Sequence, residues 1–281
     1  MYAVHRHHLT FGGRHSTMRL ISWNLHGANV PGRASTAKQV RAWDYMRELD
    51  ADLILAQEAS LSALPAWVGD QWNLVAGEQG RFRKNWNWGS IIAAKHELSL
   101  VPHHESLDDP WLQQLYDLVL VGQVQLLNGP VVVASVHTAA VAVRDWLRDY
   151  AKSLSLSTEE LESLRRPAST EAPYLNDLAF TALARTIGDR PFVVAGDWNT
   201  CRKYRGGPEF FSRAKSHGWI ECHAQLEEQS YFGRSAGGYQ LDHAFVDQGT
   251  AGSVIRCQFD ASSVVRELSD HALMVIDLIA H

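Results

Sequence analysis

The sequence predicts an α/β-type domain built on large mixed sheets. Three observations carry that expectation. Apolar runs of strand length recur from residue 18 to residue 279, helical patterns are interleaved with them, and no linker, internal repeat or charge block divides them. The chain has 281 residues, more than the usual domain, but β-rich folds of this length often form one domain. Its 46% hydrophobic and 20% charged residues are those of an ordinary globular protein.

The first 17 residues, MYAVHRHHLTFGGRHST, hold His5, His7, His8 and His15 but no apolar stretch of the kind a secretory signal needs. They are expected to be extended or disordered, with one domain over 18–281; a metal-binding His tract is the alternative. MRLISWN (18–24) reads as a strand that ends in a polar loop. STAKQVRAWDYMRELD (35–50) sets Val40, Trp43, Met46 and Leu49 at helical spacing behind Ser35 as a cap. ADLILAQE (51–58) is a short apolar run, hence a buried strand. WGSIIAAK (88–95), LVLVGQVQL (118–126) and PVVVASVH (130–137) continue the series, with Asn128-Gly129 as a hairpin signal. Between 141 and 187 the pattern turns helical. VAVRDWLRDYAKSL comes first, then STEELESLRR with Ser157 and Glu160 as a capping box, then APYLNDLAFTALARTI. Strands return at PFVVAGD (191–197), YQLDHAFVD (239–247), SVIRCQF (253–259) and ALMVIDLI (272–279).

Charge and cysteine usage narrow the setting. A net charge of −5 gives no global attraction to nucleic acid or anionic lipid, although a local basic patch suffices for either. No apolar run approaches the roughly 20 residues of a membrane helix, so no stable membrane association is expected. Cys201, Cys222 and Cys257 are few and scattered, which argues against a disulfide framework and a zinc knuckle and for a reducing, cytoplasmic compartment.

Polar residues recur where the apolar runs stop. Asn24 follows LISW, Glu58 follows LILAQ, His137 follows VVVASV, and Asp197 and Asn199 follow FVVAG. Asp242 and His243 interrupt YQLDHAFVD, and Asp270 and His271 precede ALMVIDLI. Each has a plain structural explanation. Asn24, Asp197 and Asn199 suit turns, Glu58 suits the cap of a helix near Ser60, His137 suits a satisfied core position, and Asp270 suits a loop cap. Together, however, they are oxygen donors fit for a hard cation, plus imidazoles, and strand ends along one side of a sheet converge in space.

In that order ISWN, LILAQE, SVHT, GDWN, LDH and SDH resemble the endonuclease/exonuclease/phosphatase superfamily, whose members include DNase I, AP endonucleases, deadenylases, neutral sphingomyelinases and inositol-polyphosphate 5-phosphatases. The resemblance spans about residues 18–279 and rests on six weak motifs in the right order. It implies a DNase I-like four-layer α/β/β/α sandwich with two packed mixed β-sheets, and a Mg²⁺-dependent phosphoesterase in which Mn²⁺ can substitute. By motif, Glu58 would be the principal metal ligand, with Asn24 and Asp270 completing or flanking the site. Asp197 and Asn199 would orient the attacking water and hold the phosphate. His271 would be the general base or would stabilise the pentacovalent state, with Asp242 fixing its tautomer, and His137 would donate to a non-bridging oxygen. The set suits phosphoryl transfer, which is mostly positioning and charge stabilisation. His243, His217 and His223 are expected to be structural.

The SVHTAAV stretch departs from the Tyr-bearing loop of the exonuclease III and AP-endonuclease branch and is closer to that of DNase I, the deadenylases, the sphingomyelinases and the 5′-tyrosyl-DNA phosphodiesterases. Two segments suggest the substrate. RFRKNWNW (81–88) interleaves Arg81, Arg83 and Lys84 with Phe82, Trp86 and Trp88, a composition suited to a single-stranded nucleic acid or, equally, to a solvated hairpin tip. CRKYRGGPEFFSRAK (201–215) carries a local positive excess that includes Arg202 and Arg205, as a solvated loop and helix face also would. A nuclease acting on DNA or RNA is therefore expected. A phosphatase or phospholipase C-type enzyme and a non-catalytic binding module are the alternatives, and no protein partner is indicated.

Overall fold

A computed structural model describes residues 16–27, 36–77, 88–102, 118–126, 129–139, 141, 174–204, 206–223, 228–233 and 238–280. The strands are β1 (Ser16–Asn24), β2 (Leu53–Ala59), β3 (Trp72–Ala76), β4 (Gly89–Lys95), β5 (Leu100–Pro102), β6 (Val119–Leu126), β7 (Gly129–His137), β8 (Phe192–Asp197), β9 (Ile220–Glu221), β10 (Asp242–Val246), β11 (Val254–Asp260) and β12 (Leu273–Ala280). Among the described residues the α-helices are α1 (Thr36–Glu48), α2 (Ala66–Gln71), α3 (Leu175–Ile187), α4 (Gly207–Ser216), α5 (Gln248–Ala251) and α6 (Ser263–Leu268). None is long and apolar enough to cross a membrane.

The strands form two six-stranded sheets, β11-β12-β1-β2-β4-β3 and β5-β6-β7-β8-β10-β9. Each is mixed, because β1 runs parallel to β2 and β7 parallel to β8, while the remaining pairs are antiparallel. Strand alternation explains why the sequence shows continuous apolar runs. In β1, β2 and β4, Leu20, Leu53, Leu55 and Ile92 face the opposite sheet, while Ile21, Ile54 and Ile91 face α1, α2 and α6. In β7, β8 and β10, Val133, Val193 and Val246 meet the first sheet, while Val132, Val194 and Phe245 pack under α3 and α4. A strand buried on both faces has no polar face to show. The result is four layers, helices outside and two sheets within, each fully buried Leu or Ile contributing about 1.5–3 kcal/mol.

Local chemistry explains several boundaries. β1 begins at Ser16 rather than Met18, since Ser16 pairs with Ala280 and Thr17 with Ile279. Leu126 pairs with Gly129, the hairpin that the Asn128-Gly129 signal anticipates. After β2 the chain enters a single 3-10 turn, Leu61–Ala63, with Ser60 rather than Glu58 at its N-terminal boundary. The helices expected over 141–154 and 157–166 lie, apart from Val141, outside the described residues.

Candidate active site

Two sheets bring their strand ends to one side of the sandwich. The first supplies Asn24 from the end of β1 and Glu58 from β2; Asp270 and His271 lead into β12. The second supplies His137 as the last residue of β7, Asp197 as the last of β8 and Asp242 as the first of β10. Register places His137 beside Asp197 and Asp242 opposite Asp197. The β7–β8 approach is close. A Cβ on Gly196 would lie 2.0 Å from the Val136 carbonyl oxygen, so only glycine fits there.

The backbone is strained where it aims these side chains. His26, Glu58 and Asn199 have φ of 50°, 50° and 49°, the left-handed region that non-glycine residues rarely enter. At Glu58 the cause is visible. The β2–β4 register shifts between Ala56 and Ala59, a bulge that turns one residue out of the ladder. Gln39 of α1 holds that bulge, its Nε2 donating to the Glu58 carbonyl at 2.9 Å and its Oε1 accepting from the Ser60 amide at 2.9 Å.

Asp197 is the hub. It is 1% exposed and accepts from Asn24 Nδ2 at 3.0 Å, from the Asn199 amide at 2.9 Å and from Asn199 Nδ2 at 2.8 Å. Asn199 Nδ2 also donates to the Thr138 carbonyl at 2.8 Å. Both asparagines thus orient the carboxylate. The Nε2 atoms of His271 and His137 lie 3.7 and 3.8 Å from Asp197 Oδ2, and His137 Nε2 is 3.3 Å from Glu58 Oε1. Behind His271, Nδ1 bonds Asp242 Oδ2 at 2.9 Å, the orienting contact that the LDH and SDH motifs anticipate.

Electrostatics separates these groups. Burial and the nearby Asp242 carboxylate push Asp197 up to about 6, against the pull of His271. Burial opposes the charge on His271, but Asp242 and Asp197 outweigh it and push the imidazole up to about 10. Burial holds His137 below its ordinary value. Asp270 is drawn down by His26 against burial, and His26 is raised by the same contact, with Nδ1 2.7 Å from Asp270 Oδ1.

Among the described residues the ligand atoms of Asp197, Asp242 and His271 lie within 4.8 Å of one another. That is one donor group a metal could use, but Nδ1 of His271 is already bonded to Asp242. Asn24, Glu58 and Asp270 offer hard oxygen donors, and the Glu58 carboxylate, 7% exposed, faces the imidazole of His137. Four carboxylates gathered with imidazoles fit a divalent cation.

A family model, endonuclease/exonuclease/phosphatase family, matches residues 21–271. The chain belongs to this family. Its members are in general hydrolytic phosphoesterases that use divalent metals. No curated protein matches the chain. Solved structures similar to it include the endonuclease domain of TRAS1, a telomere-specific non-LTR retrotransposon, at 13% identity and a TM-score of 0.62, covering 94% of this chain and 99% of that one. The 3′ phosphatase NExo from Neisseria, bound to a product DNA hairpin, is similar at 14% identity and TM-score 0.58, over 93% of this chain and 99% of its own. An AP endonuclease from Archaeoglobus fulgidus is similar at 12% and 0.58, over 92% and 98%. At these identities the likeness is one of fold, the four-layer sandwich of two mixed sheets.

Outside the strand ends the expectations divide. Arg202 is ion-paired with Glu221, and its guanidinium lies 4.1 Å from the Phe211 ring centroid. Arg81, Arg83, Lys84, Trp86 and Arg205 lie outside the described residues. His243 is structural as expected: its Nδ1 is 2.6 Å from Glu221 and its Nε2 2.8 Å from the Thr200 carbonyl, so it anchors the loop that carries Asn199. The motifs did not point to Gln39, His26 and Ser230. These residues follow no apolar run, and their partners are distant in sequence.

Proposed function

We propose that the chain is a divalent-metal-dependent phosphodiesterase, a nuclease acting on DNA or RNA. The observation that carries this is the convergence of two imidazole Nε2 atoms, of His137 and His271, on one oxygen of a buried carboxylate fixed by two asparagine amides. A phosphate bound among them would meet imidazole donors and a carboxylate base. Asp197, raised to about 6, is the group matched to taking a proton from water near neutral pH. His271, held protonated between Asp242 and Asp197, stabilises charge on the pentacovalent state, and His137 donates to a non-bridging oxygen. Glu58, with Asn24 and Asp270, would hold Mg²⁺ or Mn²⁺, which when bound offsets charge on the leaving oxygen. Nucleic acid is favoured as substrate because the similar folds include a retrotransposon endonuclease domain and a 3′ phosphatase bound to a DNA hairpin. Arg81, Arg83, Lys84, Trp86, Arg202 and Arg205 are the proposed substrate contacts.

The test is a product assay with Mg²⁺ on single-stranded DNA, RNA, bis-p-nitrophenyl phosphate and p-nitrophenyl phosphate. Diesters should be cleaved in preference to the monoester. Glu58→Gln should remove turnover at limiting Mg²⁺ while leaving the fold intact. Turnover of the monoester alone, with no oligonucleotide cleavage, would replace the nuclease with a small-substrate phosphatase.

A further inference from the structure

We infer that Ser230 is the positioning residue that sets the Asp242–His271 pair, an inference that rests on the catalytic assignment above. Ser230 lies outside every strand and helix, in the segment 228–233, and is fully buried. Its Oγ accepts the Leu241 amide at 2.8 Å and the Asp242 amide at 3.0 Å, and donates to Asp242 Oδ2 at 2.6 Å. A hydroxyl has two acceptor lone pairs and one hydrogen. Both lone pairs are taken by amides, so the hydrogen has one direction left, toward the carboxylate. The oxygen it reaches is the one that accepts Nδ1–H of His271 at 2.9 Å.

Two donors therefore meet on one carboxylate oxygen, and the backbone fixes each of them separately. Ser230 is pinned to the start of β10 by the two amides. His271 is pinned by its own amide, which donates to Ser269 Oγ at 3.1 Å. The backbone around Ser230 completes the arrangement. The Ser230 carbonyl accepts the Ala272 amide at 2.7 Å, the Phe232 amide donates to the Asp270 carbonyl at 2.7 Å, and Tyr231 forms an isolated bridge with His271. One short strap thus sets the registers of Asp242, Asp270 and His271 together. Without Oγ the Asp242 carboxylate loses the bond that fixes its rotation, and the imidazole it orients loses its aim toward Asp197. Charge-assisted O–H···O⁻ bonds of this kind are among the stronger ones.

The experiment compares Ser230→Ala and Ser230→Thr in the full chain with two readouts. In steady-state hydrolysis of bis-p-nitrophenyl phosphate with Mg²⁺, Ser230→Ala should lower kcat about 10- to 100-fold with KM changed less than about twofold, and Ser230→Thr should recover to within about threefold of wild type, the range seen when supporting hydrogen bonds are removed or kept. Independently of activity, the His271 Nδ1 proton, assigned in an imidazole-labelled NMR spectrum by its loss in His271→Gln, should shift upfield or exchange away in Ser230→Ala and stay in place in Ser230→Thr. If Ser230→Ala fails to fold by circular dichroism, Ser230→Cys, of similar size and with a weak donor, takes its place under the same expectations. A kcat within about twofold of wild type, or an unmoved His271 proton, overturns the inference. If Asp242→Asn and His271→Ala themselves leave kcat unchanged, the catalytic assignment fails instead, and the NMR readout still decides the role of Ser230.

Discussion

Strand β8 meets a carboxylate at each end, Asp247 from the residue after β10 at its start and its own Asp197 at its finish, and the two are held in opposite ways. At its start Asp247 accepts the Phe192 amide at 2.8 Å, the Gly249 amide at 2.8 Å and the Thr250 amide at 3.0 Å, together with the Thr250 hydroxyl. Burial works against its charge, but these donors draw it below the ordinary carboxylate range. At the other end Asp197 is buried far more deeply, receives the amides of Asn24 and Asn199, and stands beside a second carboxylate, and it is raised to about 6. The difference teaches that a hydrogen-bond count does not decide a carboxylate's role. What matters is whether the donors outweigh the burial and the neighbouring charge. Asp247 is a cap. Asp197 is buried against its own charge, and it is the group proposed to take the proton. A space of about 230 Å³ lies beside Asp247, lined by Leu126, Val131, Val193, Leu278 and Ile279, and none of the residues proposed to carry chemistry lines it.

Removing one charge at each end is the direct way to break this comparison. The largest effect is expected at Asp197. Asp197→Asn should lower kcat for a phosphodiester by about 10³-fold, in the range for a lost general base. In EDTA the melting temperature of this variant relative to wild type should rise as pH climbs from about 4 to about 6.5. A carboxylate whose folded pKa is raised from 3.8 to about 6 contributes stability that is fully present below about 3.8 and is lost as pH rises through about 6. A difference in melting temperature that stays constant over this range would refute the electrostatic account.

His271 sharpens the picture with the opposite charge. Its folded pKa is raised from 6.5 to about 10, so its stabilisation is fully present below about pH 6.5 and is lost as pH climbs through 10. The melting temperature of the metal-free wild type should therefore exceed that of His271→Gln most at pH 6, and the gap should close by pH 10. A gap that is constant across this range would show that the imidazole is not held charged.

The smallest effect belongs to the cap. Asp247→Ala should cost about 0.5–2 kcal/mol of stability, the usual cost of losing an N-cap acceptor, in a urea titration. It should leave kcat unchanged, and a tenfold loss of kcat would mean that the two ends of β8 are coupled.

The sequence shows the central strands plainly and the periphery poorly, and burial explains the contrast. LILA, IIAA, VVVA and FVVA are apolar without interruption because helices cover one face and the second sheet covers the other. β3, β5 and β9 lie at sheet edges and span only 5, 3 and 2 residues, too short to leave a run to detect. The site divides similarly. Asn24, Glu58, His137 and Asp197 sit where a strand ends and could be read from the chain. Ser230 and His26 act from irregular segments, and Gln39 acts from the buried face of α1, where the helical pattern calls for an apolar residue. Their roles rest on bonds to residues 12, 244 and 19 positions away, Asp242, Asp270 and Glu58, which no local pattern encodes.

The division of the site between two sheets has a consequence for how the molecule acquires function. Asn24 and Glu58 belong to one sheet and His137, Asp197 and Asp242 to the other, with Leu20, Leu53, Leu55, Val133 and Val193 filling the seam between them. A chain in which both sheets have formed but not yet docked has its full complement of strands and no bond from Asn24 to Asp197. Activity thus needs the docked seam as well as the strands. Substitutions in the seam, far from any reacting atom, should therefore lower activity by shifting one half of the site against the other.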